Sequence, residues 1–186
     1  MKYMQVIEDI FNYGITYGRN GIYISIIVSA ASVLVSAKQH KKNGIVIKRG
    51  IFSFFISFYI YMVIAITLLS RSEGSNDVLN LQLFSTFSNS ITSRIFLIEN
   101  VILFLPMGFF IGHVRVRKVR FVENMCICFC SSLFIELTQY ITGRGKFEID
   151  DIMTNLLGGV IGYLGCKGIK YIVLACGTVQ DKSMAP

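Results

Sequence analysis

Carboxylate and amide side chains recur at helical intervals inside two apolar stretches in the C-terminal half of the chain. Glu136 and Gln139 are three residues apart in the first stretch, and Asp151 and Asn155 are four apart at the start of the second. Each pair therefore lies on one face of its helix. Because a carboxylate inside a membrane span is costly, it marks a functional site by default. We therefore predict a polar site within a membrane, and Glu136 is predicted to be protonated or paired with Arg144 or Arg71.

The composition is that of an integral membrane protein. The 186 residues are 53% hydrophobic with a mean hydropathy of +0.60, and only 16% are charged, against about a quarter in soluble domains. Five segments approach the roughly 20 residues that cross a bilayer as a helix. They lie near 21–37, 51–70, 95–112, 121–141 and 152–176. We expect an all-α, polytopic helix bundle over 21–176, with four spans and a re-entrant or interfacial fifth as the alternative.

The two ends of the chain are predicted to lie outside the bundle. In residues 1–20, Val6, Ile10, Tyr13 and Tyr17 recur at helical spacing, which predicts an interfacial helix lying on the bilayer. Residues 177–186 are predicted to be a cytoplasmic tail. A cleaved signal peptide is the competing interpretation of the first apolar run, because Val35-Ser36-Ala37 resembles a cleavage site. However, no basic n-region immediately precedes this run, and five basic residues follow it.

The net charge of +7 reflects orientation in the membrane rather than nucleic-acid binding. Twelve of the 18 lysines and arginines follow the first and third apolar runs or lie toward the end of the chain, which puts all twelve on one side of the membrane. These residues are Lys38, Lys41, Lys42, Lys48, Arg49, Arg115, Arg117, Lys118, Arg120, Lys167, Lys170 and Lys182. By the positive-inside rule, the N-terminus is predicted outside and the C-terminus in the cytoplasm. The polar site then falls in the outer leaflet, with Asn100, Glu136, Gln139 and Asn155 at similar depth.

Small residues in the spans predict close helix packing. Gly158 and Gly162 form a G-x-x-x-G pattern, which allows close backbone approach and which we expect to face span four; Gly159 and Gly108 are further structural candidates. Pro106 predicts a kink in span three. The five cysteines are predicted to be packing residues, and no metal or cofactor is predicted, because the Cys-x-Cys-x-Cys run lies mid-span without an adjacent His.

The pattern of these polar residues resembles that of the VanZ-like family. The resemblance spans Asn100-x-x-x-Phe104-x-Pro106-x-Gly108, Glu136-x-x-Gln139, Gly143-Arg144 and Phe147-x-Ile149-Asp150-Asp151-x-x-x-Asn155-x-x-Gly158-Gly159. A weaker part is Asn80-Leu81-Gln82-Leu83-Phe84, in which Leu83 stands where the family has Pro; Glu148 stands where it usually has Asp. The resemblance implies a multi-pass protein of a Gram-positive plasma membrane, whose namesake gives low-level resistance to teicoplanin, a lipid-tailed glycopeptide.

Three function classes remain open. The first is a protein that binds or remodels a lipid-linked cell-envelope precursor or the antibiotic, with Arg71, Arg94 and Arg144 suited to an anionic head group. The second is an enzyme acting on a lipid phosphate or glycolipid, which is disfavoured because His40 and His113 are predicted on the cytoplasmic side. The third is a proton- or ion-coupled transporter with Glu136 as the titrating group, where a dimer would supply the second half of the transport pathway.

The predicted ligand-binding or functional residues are Glu136, Gln139, Arg144, Asp150, Asp151, Asn155, Asn100 and Arg71. Membrane lipids and a homo-oligomer are further candidate partners.

Overall fold

Helices account for almost all of the chain that the structure, a computed structural model, describes: residues 2–39, 42–71, 74, 79–84, 91–113 and 121–183. These helices are α1 (Lys2–Lys38), α2 (Asn43–Ile64), α3 (Ile91–His113), α4 (Phe121–Ile141) and α5 (Ile149–Ser183). Two short strands, β1 (Leu79–Asn80) and β2 (Phe147–Glu148), complete the regular structure of these residues. The predicted all-α class is confirmed.

Within the described residues, five helices are long and apolar enough to cross a membrane. The candidate spans are Gly14–Lys38, Asn43–Leu69, Ile95–His113, Phe121–Ile141 and Ile149–Leu174. α1 continues through residue 20 without a break, so residues 2–20 are helical, and their interfacial location stays a prediction. α5 is one continuous helix rather than the re-entrant segment of the alternative.

The chain divides into two compact units, Met1–Ser72 and Glu73–Pro186, and the single bundle expected over 21–176 stays a prediction. In the first unit α1 packs on α2. The Ser29 hydroxyl of α1 donates to the Gly50 carbonyl of α2 at 2.8 Å, and a Cβ on Gly50 would meet Val33. α2 ends in a π-helical segment, Ala65–Leu69, and the Tyr17 hydroxyl donates to the Leu69 carbonyl at 3.1 Å.

In the second unit, α5 packs against both α3 and α4, most extensively against α3. A Cβ on Gly158 would overlap the Val101 carbonyl of α3, and one on Gly162 would overlap the Leu105 carbonyl. The expectation that this G-x-x-x-G face meets span four is therefore wrong. The neighbouring glycine, Gly159, instead faces Cys128 of α4.

Gly108 of α3 completes this close contact from the other side. A Cβ on Gly108 would overlap the Gly159 carbonyl of α5, so backbone approaches backbone in both directions. Pro106 lies within α3, which continues to His113. Phe104, fully buried one turn before Gly108, fills the centre of this contact. The glycines at 108, 158 and 162 therefore have the predicted structural role, which is to let α3 and α5 pack closely.

α4 ends where a glycine can adopt a left-handed backbone. Gly143 has φ of 63°, and the Arg144 amide donates to the Gln139 carbonyl at 2.9 Å while the Gly143 amide donates to that of Tyr140 at 3.2 Å. This bond pair is a Schellman cap. Beyond it, β2 pairs in parallel with β1, and the Gly74 amide donates to the Gly143 carbonyl at 3.0 Å. These bonds place residues 79–84 beside the end of α4 and the start of α5.

Candidate functional site

One face of α4 is polar and completely enclosed. Asn124, Ser132, Glu136 and Gln139 are each at most 2% exposed. Together with Cys128 they recur at intervals of three and four residues, so they form one stripe along the helix. Two of the predicted site residues, Glu136 and Gln139, thus lie on the buried face of α4 near its C-terminal end.

The first turns of α5 contribute the second half of the polar cluster. Asp150, Asp151 and Asn155 are buried, as is Thr154 between them. Thr154 donates its hydroxyl to the carbonyls of Asp150 and Asp151 at 3.0 and 3.1 Å, so its hydrogen-bonding group is used within its own helix. The two aspartates lie in the first turn, where the helix dipole favours negative charge.

Hydrogen bonds join the two halves across the α4–α5 contact. The Asn155 side-chain amide donates to the Ser132 hydroxyl at 2.8 Å. One turn of α4 further on, Glu136 Oε2 accepts the backbone amide of Glu148 at 3.1 Å. The structure therefore brings Glu136 to the start of α5. In this position the carboxylate of Glu136 also holds the chain that leads into α5.

Asp150 connects the first turn of α5 to the segment that precedes α3. Asp150 Oδ1 accepts the backbone amide of Phe84 at 2.7 Å, which ties the segment before α3 to the first turn of α5. Phe84 has φ of 63°, an uncommon conformation for a residue other than glycine. Because the surrounding bonds must hold such a conformation in place, Asp150 positions this segment.

The remaining predicted site residues are less enclosed. Asn100 is half-buried on α3, and Arg144 is half-buried directly after the α4 cap. Arg71 is exposed and belongs to the first compact unit. The pairing of Glu136 with Arg144 or Arg71 stays a prediction. The side chain of Arg94 lies outside the described residues.

Three buried polar residues of α4 and α5 were not predicted from the sequence: Asn124, Ser132 and Thr154. Asn124 is fully buried, and its amide donates to the Gly108 carbonyl of α3 at 3.1 Å. The available signal was spacing, because Asn124 and Ser132 precede Glu136 at multiples of four residues. The predicted packing role holds for the buried Cys128 and Cys166, whereas Cys126 and Cys130 are exposed.

The cluster is rich in hydrogen-bond acceptors. Across the described chain, the buried Asn155 Oδ1 has no hydrogen-bond donor, which leaves an acceptor available for a hydroxyl, an amide or a water molecule. No group of three or more His, Cys, Asp or Glu suited to a metal ion occurs among the same residues.

Five apolar helices long enough to cross a membrane, two of which bury carboxylates and amides, define a multi-pass membrane protein with a buried polar cluster. The chain belongs to the VanZ/LLP1 family, whose model matches residues 51–173. It is similar to Protein VanZ of Enterococcus faecium, with 28% identity over 122 residues, covering 64% of this chain and 73% of that protein. No solved structure matches the chain significantly.

Proposed function

We propose that this protein binds a lipid-linked cell-envelope precursor or a lipid-tailed glycopeptide such as teicoplanin in its polar site, and thereby modulates resistance to such antibiotics. The observation that carries the proposal is the buried cluster of Glu136, Gln139, Asp150, Asp151 and Asn155 at one end of two candidate membrane spans. Membership of the VanZ/LLP1 family supports the connection with glycopeptides. We place the site in the outer leaflet, where both ligand classes are exposed.

The chemistry of the cluster suits a ligand rich in hydroxyl and amide groups. Asn155 Oδ1 offers an acceptor that no donor of the described residues uses, and burial makes satisfying such an atom favourable. Arg144, half-buried beside the cluster, suits an anionic head group because a guanidinium binds phosphate or carboxylate through paired hydrogen bonds. A sugar-bearing, lipid-linked ligand provides both kinds of partner.

Binding is favoured over acid–base catalysis by the position of the described histidine. His113 is the last residue of α3. The carbonyl of the neighbouring Gly112 accepts a hydrogen bond from the Lys170 ammonium group, with a distance of 2.6 Å between nitrogen and oxygen. Lys170 lies some fifteen residues after Asn155, which is about 20 Å along α5. His113 is thus at the opposite end of the unit from the carboxylates.

The test is resistance in a sensitive host that expresses variants at matched membrane levels. Glu136→Gln preserves volume and an acceptor for the Glu148 amide, so we expect normal insertion but loss of most protection against teicoplanin, measured as the minimal inhibitory concentration. Asp151→Asn is expected to behave in the same way. Glu123→Gln, in the first turn of α4 at the other end of that helix, is the matched control and should retain protection. Full protection with Glu136→Gln would leave only a hydrogen-bonding role for this residue.

A further inference from the structure

The segment before α3 presents apolar side chains to its surroundings although it is hydrogen-bonded to the polar site. Leu79, Leu81, Leu83 and Phe84 are 51–66% exposed. In a segment of six residues, this is a dense apolar surface. We call these four side chains the apolar edge. Exposed apolar side chains concentrated in one segment are typical of a binding or membrane-contact region.

Two sets of bonds fix the height of the apolar edge relative to the helices, and a third shapes the segment itself. Leu79 and Asn80 pair with Phe147 and Glu148, which directly precede α5. The Phe84 amide donates to Asp150 in the first turn of α5. Asn80 Oδ1 accepts the Gln82 amide at 3.3 Å and shapes the turn between them. The edge therefore lies at the level where α4 ends and α5 begins.

The lipid-facing surface of the helices reaches this same level. Ile141, the last residue of α4, is 78% exposed, and Met153 in the first turns of α5 is 54% exposed. Because α4 and α5 are both candidate spans, these side chains face the hydrocarbon or its boundary with the head groups. The apolar edge is at the height of this boundary, where apolar side chains bury their surface between head groups and acyl chains.

We propose that the apolar edge inserts into the leaflet that surrounds the polar site, with Asp150 as the positioning residue that holds it there. The partner is the phospholipid surface itself. The inserted edge places the polar cluster at the membrane interface, so that molecules anchored in the same leaflet approach it laterally. This proposal does not rest on the proposed function or on the orientation of the protein, since it concerns only contact with the adjacent leaflet.

The absence of tryptophan from the sequence allows a direct test. Single-tryptophan variants of the full chain are reconstituted in phosphatidylcholine vesicles with ordinary or brominated acyl chains, which quench indole fluorescence on contact. Leu81→Trp and Phe84→Trp are expected to lose most of their fluorescence in brominated vesicles, and Ile141→Trp, at an exposed position at the end of α4, should do the same. Lys146→Trp, exposed on the connection between α4 and α5, is the matched control and should lose little.

Quenching at both edge positions no greater than at Lys146→Trp would overturn the proposal. A change at Leu81→Trp that occurs only when teicoplanin is added would also overturn it and would assign the edge to the tail of a ligand. Leu81→Trp guards against a failure of Phe84→Trp to fold, because Leu81 does not have the left-handed backbone of Phe84.

The role of Asp150 has its own readout in the Leu81→Trp background. Asp150→Ala removes the acceptor of the Phe84 amide and is expected to reduce quenching by brominated lipid. Asp150→Asn retains an oxygen acceptor for the Phe84 amide, so quenching should return to the level seen with Asp150. Unchanged quenching in Asp150→Ala would show that Asp150 does not hold the edge in the leaflet.

Discussion

Asn124 shows how one buried side chain can join two spans of this protein. Its amide donates to the Gly108 carbonyl at 3.1 Å, and its oxygen accepts the Cys128 thiol at 3.5 Å. The same Gly108 approaches the backbone of α5. Asn124 thus ties α4 to α3 at the point where α3 and α5 are closest. The polar side chain of Asn124 thus has a structural role. Glu136, near the other end of the same stripe, is the residue that we expect to have a functional role.

We expect Asn124→Leu to lower stability without affecting insertion. The change removes an interhelical hydrogen bond, which in membrane proteins contributes about 0.6 kcal/mol on average and up to about 1.7. The measurement is the unfolding midpoint in detergent. Cys126→Leu, at an exposed position of the same helix, is the control and should unfold like the parent protein. If the two variants were equally stable, the bond to Gly108 would contribute nothing measurable.

At the scale of elements, the contact between α3 and α5 organises the second unit. Glycines at 108, 158 and 162 let the two backbones approach, while Gly159 makes room for Cys128 of α4. In lipid, where the hydrophobic effect does not drive helices together, such close packing is a main source of association. The polar residues of α5 are therefore positioned by the small residues that follow them.

A single methyl group should distinguish the packed glycines of α5 from the exposed ones. Gly158→Ala and Gly162→Ala place a Cβ against a carbonyl of α3, so we expect a lower yield and a lower melting temperature in detergent. Gly165→Ala and Gly168→Ala meet nothing within 4 Å and should be neutral or stabilising, because alanine favours a helix by about 1 kcal/mol over glycine. Equal effects at all four positions would refute the α3–α5 contact.

At the scale of the whole molecule, the distribution of charge along the sequence predicts one orientation. Within the second unit, Lys170 lies at the end of α3 away from the polar cluster, where its ammonium group donates a hydrogen bond to the Gly112 carbonyl. By the positive-inside rule, that end is predicted to face the cytoplasm. This orientation stays a prediction, and it would put the polar cluster on the outer side, as the proposed function requires.

Thiol labelling of intact cells tests this orientation. In a background without the five native cysteines, Lys146→Cys is expected to react with a membrane-impermeant reagent, whereas Lys41→Cys and Arg117→Cys should react only after permeabilisation. Labelling of Lys41→Cys from outside would invert the topology and move the polar site to the cytoplasmic leaflet.

The helical membrane fold and the five candidate spans could be predicted from the sequence, as could five polar residues that the structure buries: Glu136, Gln139, Asp150, Asp151 and Asn155. This was possible because the transfer of a helix into lipid depends on its own composition, and because each backbone polar group in a span must be satisfied within it. Glu136 and Asn155 were identifiable for the same reason, since polar groups are rare in such segments. The family resemblance could also be identified from the sequence, because it consists of local motifs.

Only the tertiary structure decided which helices and side chains meet. The G-x-x-x-G pattern predicts close approach without naming the partner, because a glycine has no side chain that selects one; the partner is α3 rather than α4. Likewise, Asp150 and Asp151 are equivalent in sequence, yet Asp150 binds the Phe84 amide 66 residues away in the chain. Such contacts depend on helix rotation and on the path of a distant loop, and both are set by the packing of the whole unit.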